Sequence, residues 1–229
     1  MSKKKSEESN KAAKSGDQNA SEKPKKSRPA PATPGTTSTI EESWKRINKW
    51  LKKNAPDWDA LNKKASKKAI KEAEALLGMP LPEELNQSYS YHDGGNQIFP
   101  TPDPLDIGFY LMPLDEVGND WTIQKELLDI GEFAGEHPES AKGIRKAWWN
   151  VGWIPFASNG GGDYFCIDMS PTSAGTIGQV ISHNHETGEH LLLAPSLRQF
   201  LHQLASNLEE GMISYDEDEE SLVYIRPLY

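Results

Sequence analysis

Apolar positions recur at helical spacing through the first half of the chain and bunch into short strand-like runs through the second. Ile40, Trp44, Ile47 and Leu51 follow intervals of four, three and four, the period of a single helix face. Ser38 or Thr39 stands where an N-terminal cap is needed. The opposite face is Lys45, Arg46, Lys49, Lys52 and Lys53, and Pro56 ends the helix; a stripe of this kind packs inward and leaves its lysines in water. A second helix is predicted after Ser66, with Ile70, Ala73, Leu76 and Leu77 on one face and Gly78 followed by Pro80 as its stop. Pro82 suits the first turn of a third through Leu85 and Tyr89, since its fixed φ is already helical, and Gly94-Gly95 closes it. Pro113-Leu-Asp-Glu opens a fourth that reaches Trp121 and Leu128, its early acids complementing the helix dipole.

The strand signals are shorter. Gln97 to Met112 reads as short strands around a proline-rich loop at Pro100 to Pro104. Trp148-Trp149 leads to Trp153, and three tryptophans this close cannot all fall on one face of a strand. Trp153-Ile-Pro-Phe-Ala runs into Asn159-Gly-Gly-Gly-Asp163, and Tyr164 to Asp168 then has the apolar, β-branched and aromatic character of a buried strand. Ile177 to Ile181 is a further strand, His183 to His190 a polar turn, and Leu191 to Leu193 the return strand of a hairpin. Ser196 with Gln199 forms a capping box ahead of a last helix bearing Leu197, Phe200, Leu201, Leu204 and Leu208. A terminal run, Leu222 to Ile225, is free to pair with the sheet edge or with a partner. Helices first, strands in the middle and a helix last predict an α+β fold, with a mostly antiparallel sheet and helices packed on one face.

Charge divides the chain where hydropathy does. Residues 1–39 hold nine Lys/Arg against four Asp/Glu and no large apolar residue after Met1, while the rest holds 16 against 30; +5 and −14 sum to the net −9 of the 229 residues. The expected organisation is a disordered basic tail over 1–39, a folded domain over 40–210, and an acidic segment with a terminal strand over 211–229. An acidic body argues against nucleic acid as partner, because phosphate binding rests on clustered Lys and Arg. It suits a basic protein. No apolar stretch follows the N-terminal lysines and none is long enough to span a bilayer, so the expected setting is cytoplasmic. Cys166, inside an apolar strand, is expected to be a small buried hydrophobe.

Candidate chemistry is sparse. Gly160 to Gly162 precede a strand, whereas phosphate-cradling loops precede a helix; a tight turn with positive φ is the expected role. His183, His185 and His190 are a histidine cluster with Glu186 or Glu189 as possible oxygen donors, yet a hairpin turn predicts that they are solvated, and no metal or cofactor is expected. Asp163 and Asp168 fall on opposite faces of one strand and make no acid and base pair. Ser158 lacks a nucleophile elbow. The expectation is a binding module without enzyme activity. Its contact residues are expected to be acids on the turns, Asp93, Asp163, Asp168, Glu186 and Glu189, with Trp153 as an aromatic anchor; burial is the competing role for Trp153.

The order Leu81-Pro82, Gly94-Gly95, Trp153-Ile-Pro155, Gly160 to Gly162, Cys166-Ile-Asp168, Gly178-Gln-Val180 and Ser196 to Leu208 resembles the Smi1/Knr4 (SUKH) superfamily over residues 40–210. A longer polar segment around Gly131 to Ser140 departs from that pattern. The resemblance implies the same α+β architecture and a protein-binding role. By analogy with bacterial members it implies an immunity protein that neutralises a basic, nuclease-type toxin domain; by analogy with fungal members, a regulator or scaffold of cell-wall assembly and signalling.

Overall fold

The computed structural model describes residues 37–101, 108–136 and 138–225. The tail expected over 1–39 therefore lies almost wholly outside the described residues, as does most of the proline-rich loop. Three helices come first: α1 (Ile40–Asn54), α2 (Lys67–Leu77) and α3 (Glu83–Tyr89). A two-residue strand β1 (Tyr110–Leu111) precedes α4 (Leu114–Asp129). Strands β2 (Trp153–Ser158), β3 (Tyr164–Asp168), β4 (Gln179–His183) and β5 (Leu192–Ala194) follow, then α5 (Leu197–Glu209) and a terminal hairpin of β6 (Ile213–Asp216) and β7 (Ser221–Tyr224).

Local chemistry sets these boundaries. Thr39 accepts from the Glu42 amide while the Glu42 carboxylate accepts from the Thr39 amide, so two donors at the start of α1 are satisfied reciprocally. Ser38, just ahead of the cap, is engaged as well, with the Arg46 guanidinium donating to its hydroxyl. Ser66 caps α2, and Gly78 ends it at φ 67°, where a Cβ would be strained. At α5 the Ser196 hydroxyl accepts from the Gln199 amide, the first half of the expected box. Helix α4 has no side-chain cap of its own. Asp93 supplies one from the loop after α3, accepting from the Leu114 amide at 2.9 Å.

The α+β class is the one the chain forms. Strands β1 to β5 make a sheet in sequential order with every pair antiparallel. An extra residue at Phe156 bulges β2, so Pro155 pairs with Cys166 and Ala157 with Phe165. All of β2 and β3 is buried, so both sheet faces are covered. Phe200 of α5 packs with Phe99, Phe156 and Phe165 on one face, and α1 and α3 stack behind α5. Tyr164, pointing the other way from Phe165, donates to Asp120 of α4 at 3.0 Å, and α4 with the chain before β2 closes that second face. Trp149 and Trp153 are buried there; at roughly 200 Å² per ring, each contributes on the order of 5 kcal/mol of transfer free energy as an upper bound.

Two strand expectations are corrected. The β3–β4 ladder begins at Asp168 opposite Gln179, so Ile177 stays outside it, 68% exposed on the turn ahead of Gly178. The terminal strand pairs with Ile213–Asp216, a strand with no separate sequence signal, in its own two-stranded sheet. Leu222 donates to the Gln97 carbonyl and fastens that hairpin to the body.

Candidate functional site

The end of the sheet where the β2–β3 and β4–β5 turns lie side by side gathers the sequence-predicted residues best. The 159–163 turn is held by Asn159, whose carboxamide oxygen accepts from the Gly161 and Asp163 amides. Gly160 and Gly162 have φ of 76° and 106°, the positive values expected of the glycine run. Asp163 then reaches across: Oδ1 accepts from the His185 amide at 2.7 Å and lies 2.8 Å from His185 Nδ1. A single carboxylate thus fixes the two turns in register. In the second turn Asn184 accepts from the Glu186 and Thr187 amides, which leaves the Glu186 and Glu189 side chains in solvent. Gly188 is needed for closeness, because a Cβ there would sit 2.7 Å from the Trp148 ring.

Beneath the turns lies the main departure from expectation. His183 and His190, expected in water, are 1% and 0% exposed. His183 ends β4, and its ring meets Trp149 edge-on at 5.4 Å, while His190 lies 4.5 Å from Trp153. The segment before β2 places His190 there: its amide donates to the Glu139 carbonyl and its carbonyl accepts from Ala141. That pairing spans some fifty residues and leaves no mark in the local pattern. His183 Nδ1 lies 3.1 Å from His190 Nε2, and His190 Nδ1 lies 3.2 Å from the Ser140 hydroxyl, which faces the Arg145 carbonyl at 3.3 Å. With a hydrogen on each Nδ1, the chain of donors runs one way, from His183 through His190 and Ser140 to the Arg145 carbonyl. Both rings must be neutral for this. Burial, with the neighbouring His190 ring adding to it, pushes His183 down to about 3, and burial pushes His190 down to about 4.

A shallow cleft of about 320 Å³ opens beside this pair, lined by Gln124 and Leu127 of α4, Glu132, Phe133 and Glu136 of the following turn, and Trp148, His183 and His185. On the other side of Leu127 an open depression of about 350 Å³ lies on α4 itself, lined by Ile123, Glu126, Leu127, Asp129 and Ile130. Ile123 and Ile130 are 53% and 74% exposed. Sequence reasoning followed the inward stripe of α4 and missed this outward one. The signal was present as a second apolar set at 123, 127 and 130, out of phase with Leu114, Val117 and Trp121.

Three of the expected contact residues do other work. Trp153 is 0% exposed and belongs to the core, so it anchors no partner from the surface. Asp168 is also 0% exposed: its carboxylate accepts from the Ser170 amide and from Gln179 Nε2, whose own carboxamide oxygen accepts from Thr176. That network braces the turn at the opposite end of the sheet. Burial raises the Asp168 pKa, partly offset by these donors. Asp93 is half-buried under the start of α4, and burial raises its pKa too. Asp163 is half-buried; Glu186 and Glu189 are exposed beside it. Cys166 is fully buried, and burial holds its thiol well above the usual range, as expected for a structural cysteine.

Among the described residues no group of three or more His, Cys, Asp and Glu side chains is placed to hold a metal, and no helix is long and apolar enough to cross a membrane. The model of the SMI1 / KNR4 family (SUKH-1) matches residues 64–203. The chain belongs to this family. A glucan synthesis regulatory protein of Neurospora crassa is 24% identical over 218 residues, covering 80% of this chain and 41% of that protein. The cell wall biosynthesis/cell cycle regulator smi1 of Schizosaccharomyces pombe is 27% identical over 199 residues, covering 80% and 39%. A KNR4/SMI1 homolog of Yarrowia lipolytica is 24% identical over 232 residues, covering 80% and 32%. The SMI1/KNR4 chain described here thus spans about two fifths or less of the length of these curated relatives.

Proposed function

We propose that this SMI1/KNR4-family chain is a non-catalytic, cytoplasmic protein-binding module that regulates cell-wall assembly and signalling. The observation that carries the reading is the family match over residues 64–203, joined to relatives named for regulating glucan synthesis and cell-wall biosynthesis. The geometry supports binding over chemistry. Two of the three clustered histidines, His183 and His190, are buried and engaged with each other, and the third, His185, is held by Asp163, while the Glu186 and Glu189 carboxylates beside them are exposed and available to a contact surface.

The relatives' names favour this reading over toxin neutralisation, although an acidic surface suits a basic partner in either case. Affinity capture from native extract with the full tagged chain, at low and moderate salt, separates them. Signalling or cell-wall synthesis proteins are the expected catch. A basic toxin domain released as salt rises would overturn the regulator in favour of an immunity protein.

A further inference from the structure

We propose that the outer face of α4 is a docking surface for a basic amphipathic helix presented by a protein partner; this rests on the protein-binding reading above. Ile123, Leu127 and Ile130 stand at intervals of four and three, so they form one stripe on the side of α4 opposite Leu114, Val117, Gly118 and Trp121, which are buried. A single exposed isoleucine is ordinary surface. Three aliphatic side chains in one row on an open helix face, meeting at Leu127 a shallow cleft of about 320 Å³ with Phe133 and Trp148 in its wall, are a surface with length and direction. The four- and three-residue spacing of the row matches apolar anchors at helical spacing on a partner.

Charge chooses among occupants. The acids that line the two clefts, Glu126, Asp129, Glu132 and Glu136, are all exposed, and the one cation of residues 114–136, Lys125, is paired with Asp129. Asp163, Glu186 and Glu189 extend the same sign across the adjoining turns. A second copy of the chain would set this acidic rim against itself, since a two-fold contact is self-complementary. Residues 1–36 have the right sign, but they hold no large apolar residue after Met1 to fill the stripe. An external segment with aliphatic anchors flanked by Lys and Arg satisfies both requirements, and its approach is steered by the field of the rim.

The test uses the full chain and three labelled synthetic helices: leucines at i, i+4 and i+7 with lysine flanks, the same leucines with glutamate flanks, and the lysine flanks with serines replacing the leucines. Fluorescence anisotropy is expected to rank the first tightest by at least about tenfold, a difference of about 1.4 kcal/mol, weakening as salt rises. In the chain, Ile123→Ser with Ile130→Ser is expected to abolish that preference while circular dichroism and melting stay unchanged, because both residues are exposed. Equal binding of the lysine and glutamate peptides, or undiminished binding by the double variant, overturns the proposal. Dimers that the double variant dissolves would assign the face to a second copy and overturn it as well. Native-extract capture by wild type and double variant separates the two readings: equal capture of a cell-wall regulator sinks the docking face alone, whereas no regulator on the wild type sinks the functional reading even if the peptide binds.

Discussion

Helix α5 turns Arg198, Gln199, Gln203 and Glu209 to solvent, whereas α4 turns Ile123 and Ile130 there. Their inner sides follow one rule. Leu197, Leu201, Leu204 and Leu208 are the buried stripe of the first, and Leu114, Val117 and Trp121 that of the second. Burial of one stripe accounts for stability in both helices, so the outward aliphatic row of α4 is surplus to folding. On the proposed reading, that surplus marks the outer face of α4 as a surface for contact and that of α5 as a surface for solubility.

The comparison breaks most visibly if the inner stripes are not equivalent. Leu201→Ala in α5 and Trp121→Ala in α4 are each expected to cost about 3 kcal/mol, read from urea unfolding; a near-neutral Trp121→Ala would mean that α4 is loosely attached. Asp168→Ala follows at about 2 kcal/mol, because it removes the acceptor of the Ser170 amide and one of the two acceptors of Gln179 Nε2, the other being the Gly143 carbonyl. Such a loss would mark Asp168 as a brace, and an unchanged midpoint would return it to the surface set.

Acid sharpens the difference between the two ends of the sheet. In the unfolded chain His183 and His190 take protons below their ordinary value of 6.5, and in the folded chain they resist doing so until about 3 and 4. The unfolded state therefore binds more protons as pH falls through 6.5, and stability drops. Between pH 7 and pH 5 the loss is expected to be on the order of 1 to 2 kcal/mol per ring. Asp168, with its raised pKa, works in the opposite direction at lower pH. Replacing both histidines by glutamine should flatten the slope above pH 5, and an unaltered slope would place acid sensitivity elsewhere. Ser196→Ala is smaller, about 1 kcal/mol through loss of the α5 cap. Ile123→Ser is smallest, within about 0.5 kcal/mol for an exposed position; a larger drop would show that the outer stripe of α4 supports the fold after all.

What the sequence disclosed and what it hid divide by distance along the chain. Helix α1 was legible from Ile40, Trp44, Ile47 and Leu51 with Thr39 ahead of them, α2 from Ser66 and Gly78, and β3 from an apolar run behind three glycines. Each signal lies within a few residues of what it specifies. Asp168, His183 and His190 were misplaced because polar side chains near turns are ordinarily wet. The partners that bury them, Gln179, Ser140 and the tryptophans, arrive through pairings local periodicity does not encode. The candidate site was half legible: Asp163, Glu186 and Glu189 came together as adjoining turns, whereas the Asp163–His185 clasp needed the strand order. The outer row of α4 was readable in principle, as a second phase within a helix already accounted for by its first.

Hydrogen exchange of the full chain, alone and bound to the partner captured from native extract, tests the contact surface most directly. The account predicts new protection over residues 123–136 and 184–189, with α5 and the turn at 169–178 unaffected. Protection confined to α5 or to the Asp168 end of the sheet, with none along the outer face of α4, would contradict it.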